Sequence, residues 1–151
     1  HILRKEFWTI LLKEINLEST LFQNISPGIY NWIGAGSGIS GVGFNFSISK
    51  KYVRVELYID KGDKSINKSI FDLFKNNKEE IESTFGNSLE WERLDDKRAC
   101  RIKYENNEFN VFEKENWDKM IAFLSKSMVD FEKAFKPEIK RFSNEIKNIS
   151  G

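Results

Sequence analysis

Strict alternation of apolar and polar residues over residues 52–60 is the feature that most constrains how this chain can fold. In "YVRVELYID" every second residue is apolar, from Val53 to Ile59, and tyrosine or charged residues fill the positions between. Successive side chains of a β-strand point to opposite faces of a sheet, so the pattern predicts a strand with one buried and one polar face. The chain must therefore supply partner strands and a cover for the apolar face.

Three further segments predict partner strands. Phe44, Phe46 and Ile48 alternate with polar residues, and this segment is expected to form an antiparallel hairpin with residues 52–60. Two short strands, "LEWERL" and "ACRIKYE", are predicted on either side of a turn at residues 95–97. Four antiparallel strands are therefore expected.

Apolar residues spaced by threes and fours predict three helices. The first covers residues 2–18, the second begins at an N-cap Ser65 and stops at Gly86, and the third runs from Trp117 to Ile149 with a kink or break at Pro137. The order is helix, two strands, helix, two strands, long helix, which favours an α+β fold with a four-stranded antiparallel sheet backed by helices. We interpret residues 1–151 as a single domain, the C-terminal part of a larger protein, and His1 as a tag remnant.

Residues 32–46, "WIGAGSGISGVGFNF", contain five of the nine glycines. The segment GSGISG has the spacing of a dinucleotide-binding loop, but such a loop must open a helix, and Gly41 leads into a predicted strand. A kinase-type glycine flap suits this context better, yet the other kinase motifs are missing from the sequence. The favoured interpretation is close backbone packing and tight turning beside Trp32.

The composition restricts partners and compartment. With 24 basic and 23 acidic residues, the net charge is +1, so strong general attraction to nucleic acid or anionic membranes is not expected. One cysteine and one histidine exclude an internal disulfide and Cys- or His-based metal sites. No apolar run approaches the roughly 20 residues that span a bilayer. We expect a cytoplasmic protein with no membrane association, cofactor or metal.

Two stretches carry a family resemblance: "VELYIDKGDKSINKSIFDLF", residues 55–74, and "IESTFGNSLEWERLDDKRACRI", residues 81–102. They resemble an uncharacterised prokaryotic family catalogued as domain of unknown function 4268, and the resemblance extends over nearly the whole chain. It implies a domain at the C-terminal end of larger proteins, often behind a restriction-type nuclease domain, in genome-defence or DNA-processing settings. It implies no reaction, cofactor or catalytic residue.

The polar face of the predicted sheet is the candidate binding surface, since tyrosines can stack on bases and arginines can hold phosphates. The residues predicted to bind nucleic acid are Arg54, Tyr58, Arg93, Lys97, Arg98, Arg101 and Lys103. A further polar site is predicted from Trp32, Glu56, Asp60 and Asn67. The plain alternative is a solvated face with cross-strand ion pairs.

Particular side chains suggest other chemistries. Glu56, Asp60 and Asp63 are carboxylates that could hold Mg²⁺ in a nuclease site, but the strand lacks the lysine that such sites need, so no catalytic residue is assigned. Asn67 and Glu82 are expected to be a first-turn polar group and a surface ion pair on the middle helix. Cys100 is expected to be a buried, inert thiol.

The leading hypothesis is a non-catalytic accessory module of a defence or restriction-like system that binds nucleic acid through the sheet face. The alternative is a protein-interaction or dimerisation module that uses residues 117–149. Apolar residues repeat every seven positions along that segment, over a length that exceeds what a small sheet needs as cover. A third hypothesis is an enzyme whose site the sequence does not reveal.

Overall fold

In the computed structural model, which describes residues 2–149, the chain forms one antiparallel sheet and a set of helices. The elements are α1 (Ile2–Glu18), β1 (Trp32–Ile39), β2 (Val42–Ile48), β3 (Val53–Ile59), α2 (Lys64–Lys75), α3 (Lys78–Phe85), β4 (Glu90–Glu92), β5 (Cys100–Asn106), a 3-10 turn (Lys114–Asn116) and α4 (Trp117–Ile149). The α+β class and the antiparallel sheet agree with the prediction. His1, interpreted above as a tag remnant, lies outside the described residues.

The sheet has five strands in the order β1-β2-β3-β5-β4, so the prediction of four strands is wrong. The missed strand is β1, within the glycine-rich segment. Its burial alternates, with Ile33 and Ala35 in the core and Gly34 and Gly36 on the other face. Glycine occupies positions where a polar side chain would normally mark a strand, so the period of two is hard to see in the sequence.

One face of the sheet carries the hydrophobic core. The apolar residues of β3, from Val53 to Ile59, are fully buried, as the alternation predicts. Helix α4 covers this face, and the ring centroids of Phe131 and of Phe44 in β2 are 6.2 Å apart. Phe135 of α4 in turn packs against Phe74 of α2, with ring centroids 5.9 Å apart. The helices therefore lie on one side of the sheet and leave its polar side uncovered.

The middle helix differs from the prediction at its start and in its continuity. Asp63, not Ser65, is the N-cap of α2, and its side chain accepts a hydrogen bond from the backbone N–H of Ile66 at 3.0 Å. The helix then ends at Lys75, and a separate helix, α3, begins at Lys78. The predicted stop at Gly86 is confirmed: this glycine has φ 96° and its N–H bonds to the Glu82 carbonyl.

The long C-terminal helix α4 continues through Pro137 without the predicted break. Phe135 and Ile139, on either side of the proline, are both buried against the rest of the chain. Packing on both sides can offset the roughly 3 kcal/mol that an interior proline costs a helix. The buried stripe extends as far as Ile146, so this chain itself accounts for most of the apolar length that suggested a second chain. Dimerisation through residues 117–149 stays a prediction.

Gly41, in the β1–β2 turn, tests the packing interpretation of the glycine-rich segment. Its φ is 82°, and an added Cβ would lie 2.5 Å from Lys61 Cγ and 3.1 Å from the Asp60 carbonyl oxygen. Left-handed backbone alone costs a residue with a Cβ about 1–2 kcal/mol. We expect Gly41→Ala to lower the free energy of unfolding by at least that amount in urea denaturation.

Gly36→Ala is the matched control, because an added Cβ there meets nothing within 4 Å and the backbone is not left-handed. Its free energy of unfolding should change by less than about 0.5 kcal/mol. Equal effects of the two substitutions would contradict the packing interpretation.

Candidate functional site

The sheet face opposite the helices, called the open face below, carries three cross-strand rows of residues. Register places their members side by side, and the rows are Trp32–Ser47–Arg54–Glu105, Gly34–Asn45–Glu56–Lys103–Glu90 and Gly36–Gly43–Tyr58–Arg101–Glu92. Arg54, Tyr58 and Arg101 therefore share one face, which is the arrangement that the period-two pattern predicts. The β1 side of this face is rich in glycine, and the β5 side is charged.

A concave pocket of about 750 Å³ occupies the β1 side of the open face. Gly34, Gly36 and Gly43 lie on its floor. The Asn45 side chain lies over Gly34, whereas an added Cβ at Gly36 would meet nothing within 4 Å. The Trp32 ring leans over Gly34, at 3.2 Å from where a Cβ would stand, and remains 53% exposed. Tyr58 lies on the opposite side of the floor, next to Gly43. The glycines thus leave room for a flat group between two aromatic side chains.

Glu56 is the charged centre of the open face and is only 4% exposed. Its Oε1 is 2.7 Å from Arg54 Nε and 3.2 Å from Arg101 Nε, and its Oε2 accepts from Asn45 Nδ2 at 3.4 Å. A buried carboxylate persists only when cations and hydrogen bonds compensate its lost hydration. Glu56 therefore holds both arginine side chains in place along the pocket wall.

The remaining charges of the open face are paired as well. Glu105 Oε1 is 3.2 Å from Arg54 Nη1 and 3.1 Å from Lys103 Nζ, and Lys103 Nζ is 3.6 Å from Glu90. Together with Arg101, Glu56 and Glu92, the network contains three cations and four carboxylates. The open face is therefore not the net-positive surface that the sequence suggests.

Arg101 is the least satisfied cation of this network. Its Nε makes no hydrogen bond within the described residues although Glu56 is near, and the distance from its Nη1 to Glu92 is 3.6 Å. Its guanidinium lies 5.7 Å from the centre of the Tyr58 ring. Arg54, in contrast, has hydrogen bonds to both Glu56 and Glu105. The Nε of Arg101 is itself buried and the side chain is 25% exposed, so a ligand would approach the terminal nitrogens of its guanidinium.

Asp60 closes one end of the pocket through a polar cluster. Its carboxylate accepts from Arg98 Nη2 at 2.7 Å, from the Gly62 N–H at 2.9 Å and from Asn67 Nδ2 at 3.1 Å. The hydrogen bond from Arg98 is the main cause of a lowered Asp60 pKa, with the Gly62 and Asn67 hydrogen bonds adding to it against the effect of burial.

Asn67 is fully buried and does not line the pocket. Its side chain connects the residues that follow β3 to those that precede β5. It accepts from the Lys61 N–H at 2.8 Å and donates to the Arg98 carbonyl at 3.0 Å. Asp63 is occupied as the α2 cap. Residues 2–149 contain no group of three or more His, Cys, Asp or Glu side chains placed to hold a metal ion.

Two residues of the predicted nucleic-acid set lie away from the open face. Arg93 follows the end of β4, and its side chain pairs with Asp72 of α2 at 3.0 Å and with Asp95. Lys97 is exposed in the turn that precedes β5. Four residues of the set lie together on the open face: Arg54, Tyr58, Arg101 and Lys103. Arg98 lies at the end of this face, beside Asp60. The predicted strand "LEWERL" included Arg93, but β4 ends at Glu92 and Lys97 lies in a turn, so alternation could not place either side chain.

Lys68 is a buried residue whose role sequence reasoning missed. Its Nζ donates to the carbonyls of Arg93, Leu94 and Ala99 at 2.6, 2.8 and 2.9 Å, which fixes the loop between β4 and β5. Lys68 precedes buried Phe71 by three positions, so it lies on the apolar side of α2. The sequence could have indicated this role, because a lysine on the apolar side of a helix must find buried acceptors for its ammonium group.

Cys100 is buried as expected, whereas Glu82 has other partners than expected. Cys100 is buried, and burial raises the pKa of its thiol despite the nearby Lys68 ammonium, which keeps the thiol protonated and unreactive. Glu82 was expected to form a surface ion pair. Instead its Oε2 accepts hydrogen bonds from the Leu89 N–H at 2.7 Å and from Trp91 Nε1 at 3.0 Å.

Comparison with known proteins places the chain in a family. The model of a family described as a domain of unknown function, DUF4268, matches residues 3–139. The chain belongs to the DUF4268 family. No curated protein and no solved structure matches it. Among the helices of the described residues, none combines the length and apolar character needed to cross a membrane.

The Asp60 cluster predicts a specific pH dependence of stability. The pKa of Asp60 is lower in the folded protein than its ordinary 3.8, so its contribution is present at higher pH and is lost as the pH falls below that value. Between about pH 5 and about pH 3, urea denaturation should show that Asp60→Asn loses less stability than the unmodified protein. Asp96→Asn, at an exposed turn residue, is the control. Parallel losses in all three proteins would contradict the prediction.

Removal of the Lys68 ammonium should loosen the loop that precedes β5. Lys68→Met keeps much of the side-chain length but leaves three carbonyls without their charged donor, and hydrogen bonds to charged groups contribute about 1.5–3 kcal/mol. We expect a loss of at least that size in the free energy of unfolding. Lys64→Met, at an exposed position one turn earlier in α2, should leave the stability nearly unchanged. Similar values for both variants would contradict this role.

Proposed function

We propose that this chain is a non-catalytic module that binds single-stranded nucleic acid in the pocket of the open face. The observation that carries the proposal is the open glycine backbone at Gly36 and Gly43 beside Tyr58, with the exposed Trp32 ring and the partly exposed guanidinium of Arg101 at the same pocket. These are the components that such sites combine: aromatic surfaces for bases and cationic donors for the backbone.

The pocket suits an unpaired base better than a duplex. A base can lie flat on the glycine backbone and stack against the exposed Trp32 ring or against Tyr58. The Asn45 amide lies over Gly34 with one N–H directed to Glu56, and its second N–H and its oxygen would serve as donor and acceptor for the edge of a base. A duplex is bound mainly through a broad positive surface, and the paired charges of the open face do not provide one.

Arg101 is the proposed phosphate contact, and Arg54 is a positioning residue that holds Glu56. Because few cations are left without a carboxylate, the number of neutralised phosphates should be small. Each phosphate contact contributes about −0.7 to the slope of log K against log salt for single strands. A slope near −1 is therefore expected, which is much shallower than for a typical DNA-binding domain.

The cellular setting is part of the same proposal. The family resemblance implies an accessory role in antiviral defence or restriction, in the cytoplasm, with a nuclease domain elsewhere in the same protein. In that setting this module would recognise nucleic acid while the other domain cleaves it. The proposal assigns no catalytic residue and no cofactor to residues 2–149.

The test is fluorescence anisotropy with labelled single-stranded DNA and RNA of about ten nucleotides. Tyr58→Ala should lower the affinity by roughly five- to a hundredfold, since one stacked base contributes about 1–3 kcal/mol. Arg101→Gln should also lower the affinity and should flatten the salt dependence.

Arg93→Gln is the matched control, because it removes the same charge from the chain at a site off the open face. Circular dichroism would confirm that all variants are folded. Absence of binding by the unmodified protein would overturn the proposal. Equal losses for Arg101→Gln and Arg93→Gln would also count against it, since they would indicate attraction to net charge alone.

The alternative function, dimerisation or protein interaction through residues 117–149, has weaker support. The apolar residues of α4 that suggested it, such as Phe131 and Phe135, pack inside this chain. The nucleic-acid proposal is therefore preferred.

A further inference from the structure

The two edges of the sheet are protected very differently. At one edge β4 has only three residues, and two of them, Glu90 and Glu92, are charged. At the other edge β1 has eight residues, "WIGAGSGI", without a charge or a proline, and within the described residues it pairs with β2 alone. Proteins usually shorten, charge or bend an edge strand to prevent pairing with another chain. The β1 edge has no such protection before the register shift that follows Gly36.

The backbone groups that face this edge can be identified from the hydrogen-bond pattern. The Ile48 N–H bonds to the Asn31 carbonyl at 2.9 Å, and Asn31 is the residue just before the pair Trp32–Ser47. Antiparallel strands alternate between hydrogen-bonded and non-hydrogen-bonded pairs. The N–H and C=O groups of Trp32, Gly34 and Gly36 therefore point away from β2, toward the outside of the sheet.

We propose that this edge binds the same edge of a second copy of the chain, so that two β1 strands pair antiparallel about a two-fold axis at Gly34. In this register Gly34 faces Gly34 of the second copy, and Trp32 faces Gly36 of the second copy. Each of the three outward-facing residues then donates one hydrogen bond and accepts one. A two-fold contact uses the same surface on both subunits, and this strand is complementary to itself.

Side chains favour the same register. Trp32 is a large exposed ring, and Gly36 is exposed with open space above it. An aromatic residue placed across from a glycine in a neighbouring strand covers the exposed backbone of that glycine. Ile29 and Tyr30, just before β1, are also exposed and add apolar surface near the contact. No charged residue lies within β1 to oppose the approach of a second copy.

The proposed dimer also completes the pocket of the open face. In one subunit the glycine floor ends at the free edge of β1, so the pocket is open on that side. Trp32 of the second copy would cover Gly36 at the outer end of the floor and close the pocket on that side. The pairing itself does not depend on the nucleic-acid proposal, because it follows from the backbone of β1.

Sedimentation equilibrium between about 1 and about 500 µM is the first test, since Kd values in this range correspond to modest contacts. The unmodified chain should form dimers, and Gly36→Lys should raise the dimer Kd at least tenfold, because a lysine side chain would occupy the place of the partner's Trp32. Gly28→Lys is the matched control. Both glycines have open space around an added Cβ and no left-handed φ, but Gly28 lies outside the strand.

Amide hydrogen exchange measured by NMR at low and high concentration is the second test. At high concentration the amides of Trp32, Gly34 and Gly36 should become protected, whereas Ile33 and Ala35 should be protected at both concentrations through β2. A monomer throughout the concentration range would overturn the proposal. The proposal would also be overturned by a dimer that Gly36→Lys leaves intact, or by amide protection without this alternation. Either result would favour a dimer formed through α4.

Discussion

The burial of Glu56 beneath two arginines is the interaction on which the open face depends. The carboxylate lies in the central strand, and Arg54 and Arg101 approach it from β3 itself and from β5. Loss of one partner of such a buried pair typically costs about 3–5 kcal/mol, since a charge is left without compensation. Glu56 thereby keeps both guanidiniums beside the pocket. The same pairing makes the face nearly neutral, so any ligand must be recognised mainly by shape and stacking.

Glycine gives β1 two properties at once. On its open side, Gly34 and Gly36 expose backbone where other strands carry side chains, and this creates the floor of the pocket. Along its outer edge, the same residues leave N–H and C=O groups accessible to another strand. The nucleic-acid proposal and the dimer proposal therefore both depend on the absence of side chains at Gly34 and Gly36, next to Trp32. They remain separable, because Tyr58 and Arg101 lie inside the sheet and take no part in the edge.

Local patterns predicted the elements that depend on neighbouring residues. The alternation of β3, the glycine stop at Gly86 and the burial of Cys100 were all predicted correctly. The glycine-rich strand was missed, because glycine occupies positions 34 and 36 on its open face, where polar side chains would alternate with the apolar ones. The α2 cap was misplaced by two residues, since Asp63 and Ser65 are both good N-cap residues and only the backbone conformation distinguishes them.

The sequence by itself determined that Arg54, Tyr58 and Arg101 share a face, because a period of two in each strand follows from backbone geometry alone. It also determined that β3 is buried on its other side. Only the tertiary structure decided which charges meet. Arg98 and Lys68 pair with segments distant in sequence, and so does Arg93 through Asp72. Their pairing depends on how helices and loops pack around the sheet, and no local pattern encodes that packing.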